Sequence, residues 1–158
     1  MNRLSVLLLV LFVACAQAPN PAPVQSETSN LPTITFPDGY VVRVEVAAND
    51  ELRQQGLMYR DRLREAHGMI FLFARSDVYP FWMKNTLIPL DMIWIGDDRH
   101  VAHVKTNVPP CQADPCPSYD PQVPARYVLE VAGGVAAQHH LKAGDQLRFE
   151  GLDNVTIR

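Results

Sequence analysis

Phe81-Trp82-Met83-Lys84-Asn85-Thr86-Leu87-Ile88-Pro89-Leu90-Asp91-Met92-Ile93-Trp94-Ile95 is the stretch on which the reading of this chain turns. It holds both tryptophans and two of the five methionines, with Lys84, Asn85 and Asp91 set into an otherwise apolar run. The run supplies one strand at Trp82 and another at Met92 to Ile95. Charged side chains are almost never fully buried without a partner, so Lys84 and Asp91 either meet partners inside the fold or point into a cleft. On both readings the segment is core and also the place to look for a site.

Working outward, Thr33 to Phe36 and Tyr40 to Val46 flank Pro37-Asp38-Gly39, turn chemistry that predicts an opening hairpin. Asn49 is placed to cap a short helix that Asp50 and Glu51 begin and Gly56 ends. Gly68 to Phe73 is a continuous apolar run, the pattern of a strand buried on both faces. Gly96-Asp97-Asp98 turns the chain into a strand from His100 to Val104. The connection from Lys105 to Pro124 carries six prolines and no periodicity. Ordered loops of that length usually have a task. Tyr127 to Val131 reads as a strand, and Gly133-Gly134 opens a short helix from Val135 to His140. Gln146 to Phe149 and Asn154 to Arg158 complete the strands, the last as an edge. Many short strands, frequent turns and two short helices predict a mainly β fold, a compact β-sandwich or barrel.

The N-terminal end carries an address. Arg3 precedes Leu4 to Val13, ten residues that are apolar except for Ser5, and then Ala14-Cys15. A membrane-spanning helix needs about 20 apolar residues, so residues 1–15 read as a secretory signal. Leu11-Phe12-Val13-Ala14-Cys15 resembles a bacterial lipobox, with lipidation of Cys15 and attachment to a membrane. The alternative is ordinary cleavage after Ala14-Cys15-Ala16, leaving a soluble exported protein. Residues 16–31 are Pro-rich and poor in core formers, a semi-rigid tether. Residues 32–158 remain as one β-rich domain, exported and held at the cell envelope, facing the periplasm or exterior. Cys111 and Cys116 predict a disulfide in an exported chain, shaping one small loop.

Composition narrows the function. The chain carries a formal charge of −3. Beyond residue 15 it has 13 basic and 17 acidic side chains. Nucleic-acid binding rests on clustered Lys and Arg, so nucleic acid is not expected as a partner. There is no nucleophile elbow, phosphate loop or His-Glu-x-x-His, and no cofactor or metal site is expected. His100, His103, His139 and His140 read as solvated.

The blocks Glu45-Val46-Ala47, Arg53 to Arg60, Gly68-Met69-Ile70-Phe71, Phe81 to Thr86, Ile88 to Asp91, Tyr127 to Glu130 and Gly144-Asp145 closely resemble the bacterial and archaeal family called domain of unknown function 192. The resemblance spans about residues 40 to 150. It implies a compact β-rich domain of jelly-roll-like topology, often exported, and no established reaction. His140 departs from the pattern, which usually has glycine where the short helix ends. The resemblance carries Arg53, Arg60, Lys84, Asn85, Asp91 and Glu130 over as polar family positions. Lys84 paired with Asp91 or Glu130, beside Trp82 and Phe81, would line a pocket for a small polar ligand. The competing reading is an internal ion pair in a core filled by Trp82, Met83, Met69 and Phe71.

Two functions follow as expectations. The first is a non-enzymatic envelope module that binds a small polar ligand, a glycan or a partner protein through Lys84, Asn85, Asp91, Glu130, Trp82 and Arg60, together with the Cys111 to Cys116 loop. The second is a carbohydrate-acting hydrolase using Asp91 and Glu130 as paired carboxylates, which depends on their separation.

Overall fold

The computed structural model describes residues 31–158. The expected signal, Cys15 and residues 16–30 of the tether lie outside the described residues. Nine strands and two short helices follow in the order β1 (Thr33–Thr35), β2 (Val41–Ala47), α1 (Asp50–Gln55), β3 (His67–Asp77), β4 (Phe81–Trp82), β5 (Leu90–Ile95), β6 (Val101–Val108), β7 (Ser118–Tyr119), β8 (Ala125–Ala132), α2 (Val135–Gln138) and β9 (Arg148–Glu150). The fold is mainly β, as expected. The hairpin forms around Pro37-Asp38-Gly39, with Thr33 opposite Arg43. Asn49 caps α1, its side-chain oxygen accepting from the Leu52 N–H at 2.8 Å.

Seven strands make one sheet in the order β6-β5-β8-β3-β2-β1-β9, and β4 and β7 form a separate two-stranded ribbon. Among the described residues only β2 and β3 run parallel, and α1 supplies the crossover between them. The sheet curls until its two edges meet at one end. There the Val101 N–H donates to the Asp145 carbonyl at 2.8 Å, and the Leu147 N–H donates to the Arg99 carbonyl at 3.0 Å. Such closure hides part of the unpaired edge that an open sheet would present.

The curl gives the sheet an inside and an outside. Ile34, Val42, Val44, Ile70, Ile93, Leu129 and Phe149 fill the inside. Leu90, Met92, Trp94, Phe71, Met69 and Val128 form a second core on the outside, with Leu57, Met83 and Phe81 packed over it. Side chains alternate between faces along a strand, and β5 lies between the two cores. All six of its residues are therefore buried.

Two expectations need correction here. Asn154 to Arg158 is not a strand. The Arg158 N–H instead donates to the Ala48 carbonyl, and the Arg53 guanidinium donates to the Arg158 carbonyl at 2.6 Å. Val155 and Ile157 pack against the inner core, so the segment straps down the end of β2 without joining the ladder. The loop after β6 is also shorter than expected, because β6 continues to Val108 and Ser118–Tyr119 pairs with β4. The Cys111–Cys116 disulfide does close, with the Cα atoms 5.6 Å apart.

Asp91 is the largest correction. It is fully buried, alternates with Ile93 and Ile95, and so points into the barrel. Its carboxylate accepts from the backbone N–H groups of Asn107 at 2.6 Å, Gly134 at 2.9 Å and Ala136 at 2.6 Å. Helix α2 has no side-chain cap of its own. Asp91 satisfies its orphan donors from another strand and fixes it as the plug of the barrel. Gly133 makes the approach possible, since a Cβ there would lie 2.7 Å from Asn107 Oδ1 and 3.1 Å from Pro89. Truncating Asp91 to alanine strands three backbone donors, one buried and two part-buried, and a buried donor left unpaired costs about 1–3 kcal/mol. Asp91→Ala is therefore expected to lose about 3 kcal/mol or more in urea unfolding, and a loss under about 1 kcal/mol would contradict the capping role.

Candidate functional site

The outer face of the sheet carries two registered rows. Lys105, Met92, Glu130, Met69 and Glu45 lie side by side on β6, β5, β8, β3 and β2. His103, Trp94, Val128, Phe71 and Ala47 form the next row along the same strands. Glu130 is thus a lone carboxyl between two methionines on the outer face, while Asp91, one residue from Met92, points the opposite way. The two acids cannot act as a pair, because the sheet itself separates them. Lys84 joins neither in an ion pair, which removes the expected internal cation–carboxylate pair.

Segments on both sides of Glu130 build walls above it. Gly56 ends α1 with φ +48°, and a Cβ there would sit 3.2 Å from the Phe71 ring. Glycine therefore lets the helix end settle on the outer core. Phe71 meets Phe81 edge-on at 4.9 Å, and Phe81 meets Trp94 edge-on at 6.0 Å. The Trp94 indole donates to the Tyr79 carbonyl at 2.9 Å, fixing the approach to β4. Across the gap, the Tyr59 N–H donates to the Asn85 carbonyl at 2.7 Å, and the Asn85 side-chain amide donates to the Tyr59 hydroxyl at 2.9 Å. Both residues have positive φ, 64° and 55°, so this link holds two strained loops against each other.

The polar family positions divide sharply. Arg53 donates to the Leu72 and Arg158 carbonyls and lies over the Phe73 ring. Arg60 holds Glu45 through two bonds of 2.5 and 2.6 Å and does not line the cleft. That guanidinium holds the Glu45 carboxyl below the usual range. Asn85 is the clasp to Tyr59, and Asp91 is the cap of α2. Arg60 and Asp91 therefore serve the scaffold, contrary to their expected place in the site. Lys84 and Glu130 are left without a hydrogen-bonded or ionic partner among the described residues. Both line the same narrow slot, together with Gln55, Met58, Phe81 and Trp82. The slot has a volume of about 30 Å³. It opens beside a wider cleft of about 360 Å³ lined by Glu51, Gln54, Gln55, Met58, Trp82 and Asn85, with Lys84 at the junction.

Trp82 is 47% exposed, so the cleft has an open aromatic rim, which fits its expected place as a pocket wall better than the competing reading of it as core. Lys84 Nζ lies 5.4 Å from the centroid of the Trp82 ring. Exposed cation–π contacts of this kind are worth about 0.5–1 kcal/mol, weak enough for the ammonium to be recruited by a ligand. Gln54, Gln55, Met58 and Tyr59 were not singled out from the sequence. Their only signal was membership of the Arg53 to Arg60 block, which placed them in the family without assigning them a task.

The histidines do not all stay in solvent. His139 stacks on Tyr40 at 3.7 Å and hydrogen-bonds Asp38 at 2.7 Å, and His103 packs against Trp94 at 5.5 Å. Among the described residues, no three His, Cys, Asp or Glu side chains gather as metal ligands.

Glu130 is only 4% exposed, and burial pushes its carboxyl up to about 8. At neutral pH it is largely the protonated acid and offers an O–H to the slot. The unfolded chain ionises near the ordinary value of 4.5, so between about pH 4.5 and 8 the native state holds the extra proton. Stability then falls as pH rises through that window, at up to roughly 1.4 kcal/mol per unit. Denaturant unfolding at pH 5, 6.5 and 8 is expected to show this decline in the native protein and to lose most of it in Glu130→Gln. Equal pH slopes for the two proteins would show that Glu130 ionises normally.

Against solved structures, the chain is similar to a protein described as a candidate transcription regulator from Sinorhizobium meliloti 1021, with 32% identity and a TM-score of 0.68 over 75% of this chain and 91% of that one. It is also similar to a protein of unknown function from Novosphingobium aromaticivorans DSM 12444, with 37% identity and a TM-score of 0.66 over 84% and 94%. No curated protein matches it. The family described as domain of unknown function 192, an uncharacterized ACR, matches residues 33–149. With that match over most of its length, and two relatives of like fold above 30% identity, the chain belongs to the domain of unknown function 192 family.

Proposed function

We propose that the protein is a non-enzymatic binding module of the cell envelope, and that its cleft takes a small hydroxylated ligand such as one sugar unit of a glycan. The observation that carries this reading is that Lys84 and Glu130, the two polar family positions with no hydrogen-bonded or ionic partner among the described residues, meet in one cleft beside the half-exposed Trp82. A sugar presents an apolar C–H face and a rim of hydroxyls. The Trp82 ring suits the face, and Lys84, Gln54, Gln55 and the protonated Glu130 suit the rim. The inner slot holds about one water-sized group, so the ring stays in the outer cleft and a single hydroxyl or hydroxymethyl reaches Glu130. The apolar N-terminus, the lipobox-like Cys15 and the closed disulfide support placement at the envelope, by a lipid anchor.

The hydrolase reading loses its chemistry. A two-carboxylate mechanism needs both acids on one cleft, and Asp91 lies on the opposite face of the sheet. Glu45 shares the face of Glu130 but is occupied by Arg60, two strands away. The regulator description of one neighbour is not carried over to this chain, whose acidic balance gives a phosphate backbone little to bind.

Calorimetric titration of the full chain against a panel of envelope sugars and their short oligomers tests the proposal. At least one sugar is expected to bind at millimolar strength or better, with Trp82→Ala and Lys84→Gln each weakening it about tenfold and the exposed Lys142→Gln leaving it unchanged. A panel without a binder, or a bound sugar indifferent to Trp82, would sink the proposal.

A further inference from the structure

Another cavity lies elsewhere, between the β5–β6 end of the sheet and the segment after the disulfide loop. It has a volume of about 640 Å³, within the range of small-molecule sites. Its sheet side is Trp94, His103 and Lys105, and its loop side includes Ser118, Tyr119 and Gln122. The register explains why two basic side chains share it. Lys105 lies opposite Met92 and His103 opposite Trp94, so both project from the same face of β6 at two-residue spacing.

The charges in this cavity are unspent. Lys105 makes no ion pair among the described residues. The one acid on the lining is Asp120, whose carboxylate accepts from the Gln122 N–H at 2.7 Å and makes no ion pair with Lys105, though it keeps its charge. The loop wall is held in place at both ends. Tyr119 and Ser118 pair with Phe81 and Trp82, and the Cys111 N–H donates to the Met83 carbonyl at 3.4 Å. In a domain that is acidic overall, a preformed cavity with an unpaired ammonium, an imidazole and loop hydroxyls is suited to negative charge.

We propose that this cavity is a second binding site, separate from the cleft over Glu130, and that it takes a small molecule bearing an anionic group, a phosphate or a carboxylate, held by Lys105 and His103 with Ser118 and Tyr119 as hydroxyl donors. Charge-assisted bonds of this kind are the strong ones, and Lys serves such sites as a point charge.

The test is an NMR titration of the isotope-labelled full chain with inorganic phosphate in one arm and acetate in the other. Saturable shifts confined to Trp94, His103, Lys105 and Ser118 to Val123 are expected. A response to phosphate alone narrows the group to a phosphoryl, and a response to acetate as well makes it a general anion site. Lys105→Gln is expected to weaken phosphate about tenfold, and Lys105→Arg to restore it to within about twofold. Lys105 is exposed, so these variants keep the fold. Lys142→Gln, an exposed lysine outside the cavity, is expected to leave phosphate binding unchanged. Shifts scattered over surface lysines, no response in either arm, or full affinity in Lys105→Gln would overturn the proposal.

Discussion

The constraint on which the molecule depends is that β5 is buried on both faces. A strand in that position must give alternate side chains to different cores. Leu90, Met92 and Trp94 enter the outer core, and Asp91, Ile93 and Ile95 enter the barrel. The single charge in the series falls on the inner side, where an unpaired carboxylate would cost several kcal/mol. Three backbone N–H groups from the start of α2 and from β6 remove that cost and, in doing so, close the barrel. A shift of one residue in register would exchange the two sets and bring Asp91 against Trp94's neighbours. The polar residue therefore specifies register more strongly than any of its apolar companions.

Glu130 is the opposite solution to the same problem. Among the described residues it has no donor to stabilise the anion, so burial keeps its proton on. The difference between 4.5 and about 8 is worth roughly 5 kcal/mol against the ionised form. Remaining neutral reduces the burden to that of a polar group short of a partner, about 1–3 kcal/mol if nothing fills the slot. A water fits the slot beside it and can take up that bond. The neighbouring Glu45, in the same row, stays ionised because Arg60 grips both of its oxygens. Two glutamates on one face are thus set to opposite charge states by what stands next to them.

The local chemistry of this chain could be read in the sequence because it is local. The turn at Asp38-Gly39, the Asn49 cap, the Gly56 stop and the Cys111–Cys116 loop each depend on residues within a few positions of one another. His140, where the family pattern has glycine, takes φ +52°, so the backbone requirement survives the substitution. The division of labour among the polar residues was not legible. Asp91 and Glu130 look alike in sequence, and only the pairing of Asp91 with Val131 and Met92 with Glu130 places them on opposite faces. That register depends on contacts some 40 residues apart. The same holds for Arg60, whose partner Glu45 lies on a strand joined by a crossover. The expected final strand failed for a related reason, since the backbone of Arg158 finds its partners at Ala48 and Arg53, more than 100 residues away.

The β4–β7 ribbon links these observations. Phe81 faces down onto Phe71 and Trp94, and Trp82 stands outward over the cleft, opposite Ser118 across the ribbon. Two strands of two residues each cannot hold their geometry alone. They are kept in place below by the aromatic stack and at the side by the disulfide loop, through the bond from Cys111 to Met83. One side of the ribbon is a wall of the cleft over Glu130, and the other is a wall of the cavity at Lys105. The small disulfide closes too short a loop to remove much unfolded-state entropy, so its effect on global stability is modest. Its larger effect is geometric, because stiffening this one loop sets the position of both Trp82 and Ser118. Two cavities on one sheet face thereby share a single wall, and a change at Cys111–Cys116 reaches both of them without touching either floor.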